Sequence, residues 1–104
     1  MSTDPYNQHG TLEADGPSAV LYVRSFPRGK DHVTAAVAGV FDGATATLQW
    51  STDRTEWYDV KDESDEVIAL TEAGVVSTPL SGLFVRWEVT GAGTDTAIKF
   101  VLSY

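Results

Sequence analysis

The densest set of hard ligands in the chain is the run KDESDE at 61–66, where Asp62, Glu63, Asp65 and Glu66 crowd four carboxylates into one short segment. Oxygen donors at this density are what calcium selects. Calcium loops, however, alternate their ligands and turn at a glycine. This run does neither, so it reads as a solvated loop and no metal ligand is assigned. His9 and His32 have no third ligand at a useful spacing and no serine in an elbow motif nearby, so both read as surface residues. The 15 acidic residues make a glycosidase pair arithmetically available, yet composition alone singles out no pair. Cysteine is absent, which removes thiol nucleophiles, zinc thiolates and disulfides together. No catalytic residue and no cofactor follow, and the chain is expected not to be an enzyme.

Aromatic side chains are the other source of recognition chemistry. Trp50, Trp57, Tyr58 and Trp87 could stack on sugar rings if a flat sheet face exposed them. Trp87 alternates in register with Leu83, Val85 and Val89, and Trp50 with Ala44, Ala46 and Leu48, so both are expected to face a core. Trp57 and Tyr58 are adjacent and must point to opposite faces, leaving one of them exposed. Between the first two tryptophans lies the polar knot STDRTEW at 51–57. Ser51 and Asp53 can accept backbone amides in a short turn, with Trp57 packing across the hairpin. The knot is similar to the Asp-box hairpin, Ser-x-Asp-x-Gly-x-Thr-Trp, but is one residue shorter and lacks the glycine. A structural turn is therefore expected here.

These residues must be positioned by strands. From Ser18 onward the chain consists of short β-branched and aromatic runs, broken by Gly, Pro or Asp clusters. The runs predict strands at 18–25, 33–41, 44–51, 57–60, 67–71, 74–78, 83–90 and 96–104. Alternation puts Val85, Trp87 and Val89 on one face with Phe84, Arg86, Glu88 and Thr90 on the other, and separates Ile98, Phe100, Leu102 and Tyr104 from Ala97, Lys99, Val101 and Ser103. The Asp42-Gly43 pair suits the positive φ of a type I′ hairpin. No window has helical spacing long enough to nucleate a helix. The fold class expected is all-β, an antiparallel β-sandwich or jelly roll of about eight strands, with a closed barrel as second choice. Residues 1–17 lack periodicity of either kind and read as a flexible N-terminal arm, leaving 18–104 as one sandwich domain.

With 104 residues, a single core is what the length supports. The formal charge of −8 and the absence of any Lys/Arg run argue against nucleic acid and against anionic membrane surfaces. No apolar stretch reaches membrane-spanning length, and residues 1–10 show no basic segment followed by an apolar one, so no secretory signal is read there. Stability must come from packing or from partner subunits.

A wider pattern adds to this reading. Gly39, Phe41, Gly43, Ala44, Thr45, Thr47, Leu48 and Gln49 are followed by Ser51, Asp53 and Trp57, and later by Arg86 in a strand before a Gly-rich hairpin. Over residues 33–104 the chain thereby resembles small β-sandwich structural proteins of tailed bacteriophage virions. It departs from them at Arg54 and Thr55, where the turn is usually glycine-rich. The resemblance implies a virion structural role on the capsid surface: a decoration, or cement, protein, expected as a homotrimer that braces neighbouring subunits of the major capsid protein. Arm residues Pro5, Tyr6, His9 and Leu12 are the expected contacts. The competing expectations are a carbohydrate-binding module using Trp57 or Tyr58 on host-surface glycans, and a tail or connector component.

Overall fold

The computed structural model describes residues 7–23, 32–79 and 84–103. Alternating β-branched and aromatic residues form ten strands: β1 (Asn7–Leu12), β2 (Gly16–Pro17), β3 (Leu21–Tyr22), β4 (His32–Val40), β5 (Thr45–Ser51), β6 (Tyr58–Asp59), β7 (Ala69–Leu70), β8 (Gly74–Pro79), β9 (Phe84–Thr90) and β10 (Ala97–Ser103). All pairings are antiparallel. One sheet has the order β1-β10-β4-β8, and the other has β2-β9-β5-β6, with β3 on β9 and β7 on β5. The two sheets pack as a sandwich, so the second-choice barrel does not form.

The winding follows a simple rule. If β2 with β3, and β6 with β7, each count as one broken strand, eight strand positions remain, and the first pairs with the eighth, the second with the seventh, the third with the sixth and the fourth with the fifth. That is one long antiparallel hairpin rolled up until β10 meets β4 and β9 meets β5. A roll of this kind is the jelly-roll arrangement, which buries one face of each sheet against the other.

Period-two alternation places the core as expected. Val85, Trp87 and Val89 from β9 with Ala46 and Leu48 of its neighbour β5, and Ile98, Phe100 and Leu102 from β10 with Val33, Ala35 and Val37 of its neighbour β4, are buried in one core cluster between the sheets. Burial of a side chain such as Trp87 or Leu48 contributes about 1.5–3 kcal/mol. Leu83 and Tyr104, expected in register with these, lie outside the described residues.

Three expectations change. The arm expected over 1–17 is, from Asn7 on, built into both sheets: β1 pairs with β10 from Asn7↔Ser103 to Leu12↔Ile98, and Gly16–Pro17 pairs with β9. Its periodicity was hidden because the inward positions are Gln8, Gly10 and Leu12, of which one alone is a large apolar residue. Gly10 is small for a reason, since a Cβ there would lie 3.0 Å from the Phe100 ring. The strand expected at 18–25 is interrupted. Ser18 pairs with Trp87 and Leu21 with Val85, so three steps on one side face two on the other, which is a β-bulge. Ser18 is buried in it, its hydroxyl accepting the Trp87 amide at 2.9 Å.

The third change concerns Asp42-Gly43. Their φ values of 48° and 85° and the Ala44 N–H to Phe41 carbonyl bond of 2.9 Å are those of a tight type I′-like turn. The turn nevertheless joins β4 to β5, which belong to different sheets, so it carries the chain across the sandwich and makes no hairpin. The 91–96 loop crosses beside it. The Thr96 hydroxyl donates to the Phe41 carbonyl at 2.9 Å, the Asp42 carboxylate accepts the Asp95 amide at 3.0 Å, and the Asp15 carboxylate accepts the Ala92 amide at 2.7 Å. Three crossings are thus tied into one end of the roll.

Candidate functional site

The knot at 51–57 is a hydrogen-bonded turn. The Ser51 hydroxyl, fully buried at the end of β5, accepts the amides of Asp53 (3.2 Å) and Arg54 (2.8 Å) and donates to the Asp53 carboxylate at 3.0 Å. That carboxylate in turn accepts the amides of Thr55 (2.9 Å) and Glu56 (3.1 Å). Arg54 takes a positive φ of 66°, the conformation for which glycine is the usual choice. The amides of Thr55 and Glu56 hold the Asp53 carboxyl below its ordinary pKa, because they stabilise its charged form. Every polar group named here is used in closing the turn.

The turn aims its tryptophan at a partner 29 residues away. The Arg86 guanidinium carbon lies 4.1 Å from the centroid of the Trp57 ring on the outer face of the six-stranded sheet. Arg86 also donates from Nε to Gln49 Oε1 at 3.0 Å, and Gln49 donates to Asp59 at 3.1 Å, while Glu88 stands 3.6 Å from the guanidinium. Partial burial lowers the Arg86 pKa and the Glu88 charge opposes that shift. Arginine stays charged regardless. Beside this group Tyr22 and Phe84 are in ring contact at 4.9 Å, with Arg54 5.6 Å over Phe84. Trp50 and Tyr58 sit on the other side of the strands in a tilted ring contact, centroids 4.9 Å apart and planes at 34°, and Tyr58 donates its hydroxyl to Glu56 at 3.0 Å. The expected packing of Trp57 across its own hairpin is thus replaced by packing on Arg86, and Trp50 is half-buried at the margin of the core.

The acidic run 61–66 closes on itself. Asp62 accepts the amides of Ser64 (2.8 Å) and Glu66 (3.1 Å), its own amide donates to the Glu66 carbonyl, and Lys61 pairs with Asp65 at 3.7 Å. Among the described residues no three His, Cys, Asp or Glu side chains are grouped to hold a metal ion. Between this loop, β7 and β8 the two sheets part into an open cleft of about 860 Å³, floored by Trp50, Val60, Ile68, Leu70 and Val76.

The outer face of the four-stranded sheet has a different character. No Asp or Glu occurs in β1, β10, β4 or β8, although the chain carries 15. The register sets His9 opposite Val101, Val101 opposite Ala36 and Ala36 opposite Val75, a row running across all four strands. Val75 is 69% exposed, Val101 42%, and Val40 nearby 52%. Small residues, Ala38 and Ala97 among them, keep the rest of this face flat, and Lys99 supplies a positive charge.

Of the contact residues expected from sequence, His9 is exposed on this face, at the end of that row. Leu12 points inward, partly buried, and packs against the core. Pro5 and Tyr6 lie outside the described residues. His32 begins β4 and pairs with Pro79. Sequence reasoning missed Val40, Val75, Val101 and the stack on Arg86. Exposed valines on the polar phase of a strand were the available signal for the first group.

Comparison with protein-family models, with curated proteins and with solved structures finds no match for this chain.

Proposed function

We propose that the chain is a non-enzymatic structural protein of a tailed-phage particle, a capsid decoration protein that lays the outer face of its four-stranded sheet on the shell of the major capsid protein. The observation that carries this reading is the segregation of charge: a chain of formal charge −8 has no carboxylate in the described strands of one sheet and exposes three valines there. Such a face can be covered by another protein at small desolvation cost, since burying an unpaired carboxylate is what an interface core avoids. The resemblance in 39–57 and at Arg86 supports the virion context, and its residues form the frame of the fold: the crossing turn, β5 and the Trp57–Arg86 stack. Trimeric clustering would let weak contacts of each copy add by avidity.

The glycan-binding alternative draws on Trp57 and Tyr58. Arg86 covers one face of the Trp57 ring and Trp50 one face of Tyr58, so neither ring presents both faces to a sugar.

Add-back to capsids lacking the protein tests the proposal. Saturable binding at a fixed number of copies per capsid, lost in Val75→Glu and Val101→Glu while both variants stay folded, is the expected result. Wild-type protein that fails to sediment with such capsids would sink it.

A further inference from the structure

We propose that the cleft beside β8 is a docking groove for an extended, basic segment of a partner protein, which adds to the sheet as a strand along the free edge of β8. Within the described residues β8 pairs on one side alone, with β4, so the backbone groups of its other edge have no sheet neighbour. An unpaired edge is a template for strand addition. Its six residues span about 20 Å at roughly 3.3 Å per residue, room for about three inward side chains of an added strand. Pro79, the last residue of β8, has no N–H to donate.

The floor and the rim specify the occupant. Trp50, Val60, Ile68, Leu70 and Val76 line the floor, an apolar surface suited to apolar side chains at every second position of a strand. The rim carries Asp62, Glu63 and Glu66, and its one cation, Lys61, is paired with Asp65. A segment alternating apolar with Lys or Arg residues meets both surfaces. Four of the five floor residues are aliphatic, and the fifth, Trp50, already contacts the Tyr58 ring, so an apolar strand fits this floor better than a sugar does. A second copy of the chain has no Lys/Arg run to offer the acidic rim. The groove lies on the opposite side of β8 from β4, and the inference holds whether or not the chain decorates a capsid.

The test is a titration of isotope-labelled full-length protein with a synthetic heptapeptide alternating Leu and Lys, followed by amide shifts. Shifts confined to residues 60–70, 74–79 and Trp50 are expected, with affinity falling at least about fivefold in high salt as screening predicts. Glu63→Lys with Glu66→Lys, both exposed and outside the core, should weaken binding about tenfold or more. A matching peptide alternating Leu and Glu should give no such shifts. The proposal is overturned if the two peptides behave alike, if the shifts fall elsewhere, or if cello- or chitohexaose moves these residues and the basic peptide does not. Concentration-dependent shifts of the same residues without peptide would assign the groove to a second copy and overturn it as well.

Discussion

The guanidinium of Arg86 lies 4.1 Å from the centre of the Trp57 ring, joining the turn after β5 to the middle of β9. The same arginine donates to Gln49 on β5, directly opposite it in the ladder. One residue therefore connects a strand, its neighbour and the loop that follows, and the contact belongs to the frame of the sandwich.

Removing that contact should cost stability and leave the core intact. Arg86→Lys keeps the charge but loses the planar stack and the Nε donor, and a loss of about 1 kcal/mol is expected. A double-mutant cycle with Trp57→Ala, read by chemical denaturation, should give a coupling of about 0.5–2 kcal/mol. Additive losses would mean that the stack contributes nothing.

Asp53 makes the turn sensitive to acid. Its folded pKa is depressed by the amides of Thr55 and Glu56, so the stabilisation it contributes is complete above the unfolded carboxyl pKa and is lost as pH falls through the lower, folded value. Stability of the wild type should therefore drop below about pH 4, and Asp53→Asn should flatten that limb while being less stable at neutral pH. A carbon-detected titration of Asp53 should show a midpoint below that of an ordinary aspartate.

Two glycines at either end of the β4–β5 crossing should respond differently to alanine. Both have positive φ, 104° at Gly39 and 85° at Gly43, and each substitution carries a backbone cost of about 1–2 kcal/mol. At Gly43 nothing stands near an added Cβ, whereas at Gly39 it would collide with the Ala97 carbonyl oxygen of the neighbouring strand. Thermal melts should show Gly39→Ala as clearly the worse, by about 1–3 kcal/mol more.

Deleting residues 1–12 should destabilise the whole domain. The deletion strips β1 from the edge of β10 and uncovers Phe100, and a loss of about 3 kcal/mol or more is expected from the exposed core. A chain cut this way that kept its full melting temperature would contradict the placement of β1. Pro5 and Tyr6 are consequently tested as contacts only by a truncation that stops before Asn7.

The comparison of sequence with structure turns on where each side chain finds its neighbours. Strands β4, β5, β9 and β10 were legible because each is long and buries one apolar face, which writes period-two alternation into the chain. β1 was not, because its inward positions adapt to Phe100 across the ladder and one of them is glycine. The strands expected at 57–60 and 67–71 shorten to Tyr58–Asp59 and Ala69–Leu70, since the acidic run between them closes as its own turn. The Ser51–Asp53 turn was legible from local spacing alone. The Arg86–Trp57 stack and the valine row are made by residues far apart in the chain, and only the register brings them together.

Image reconstruction of phage particles assembled in the presence of this protein is the most direct test of the proposed function. The account predicts sandwich-shaped density at positions of the icosahedral lattice, clustered in threes, with Val75 and Val101 of each copy covered by the shell. A single ring of six or twelve copies at a tail or connector, absence from the particle, or copies on the shell with this face open to solvent would contradict it.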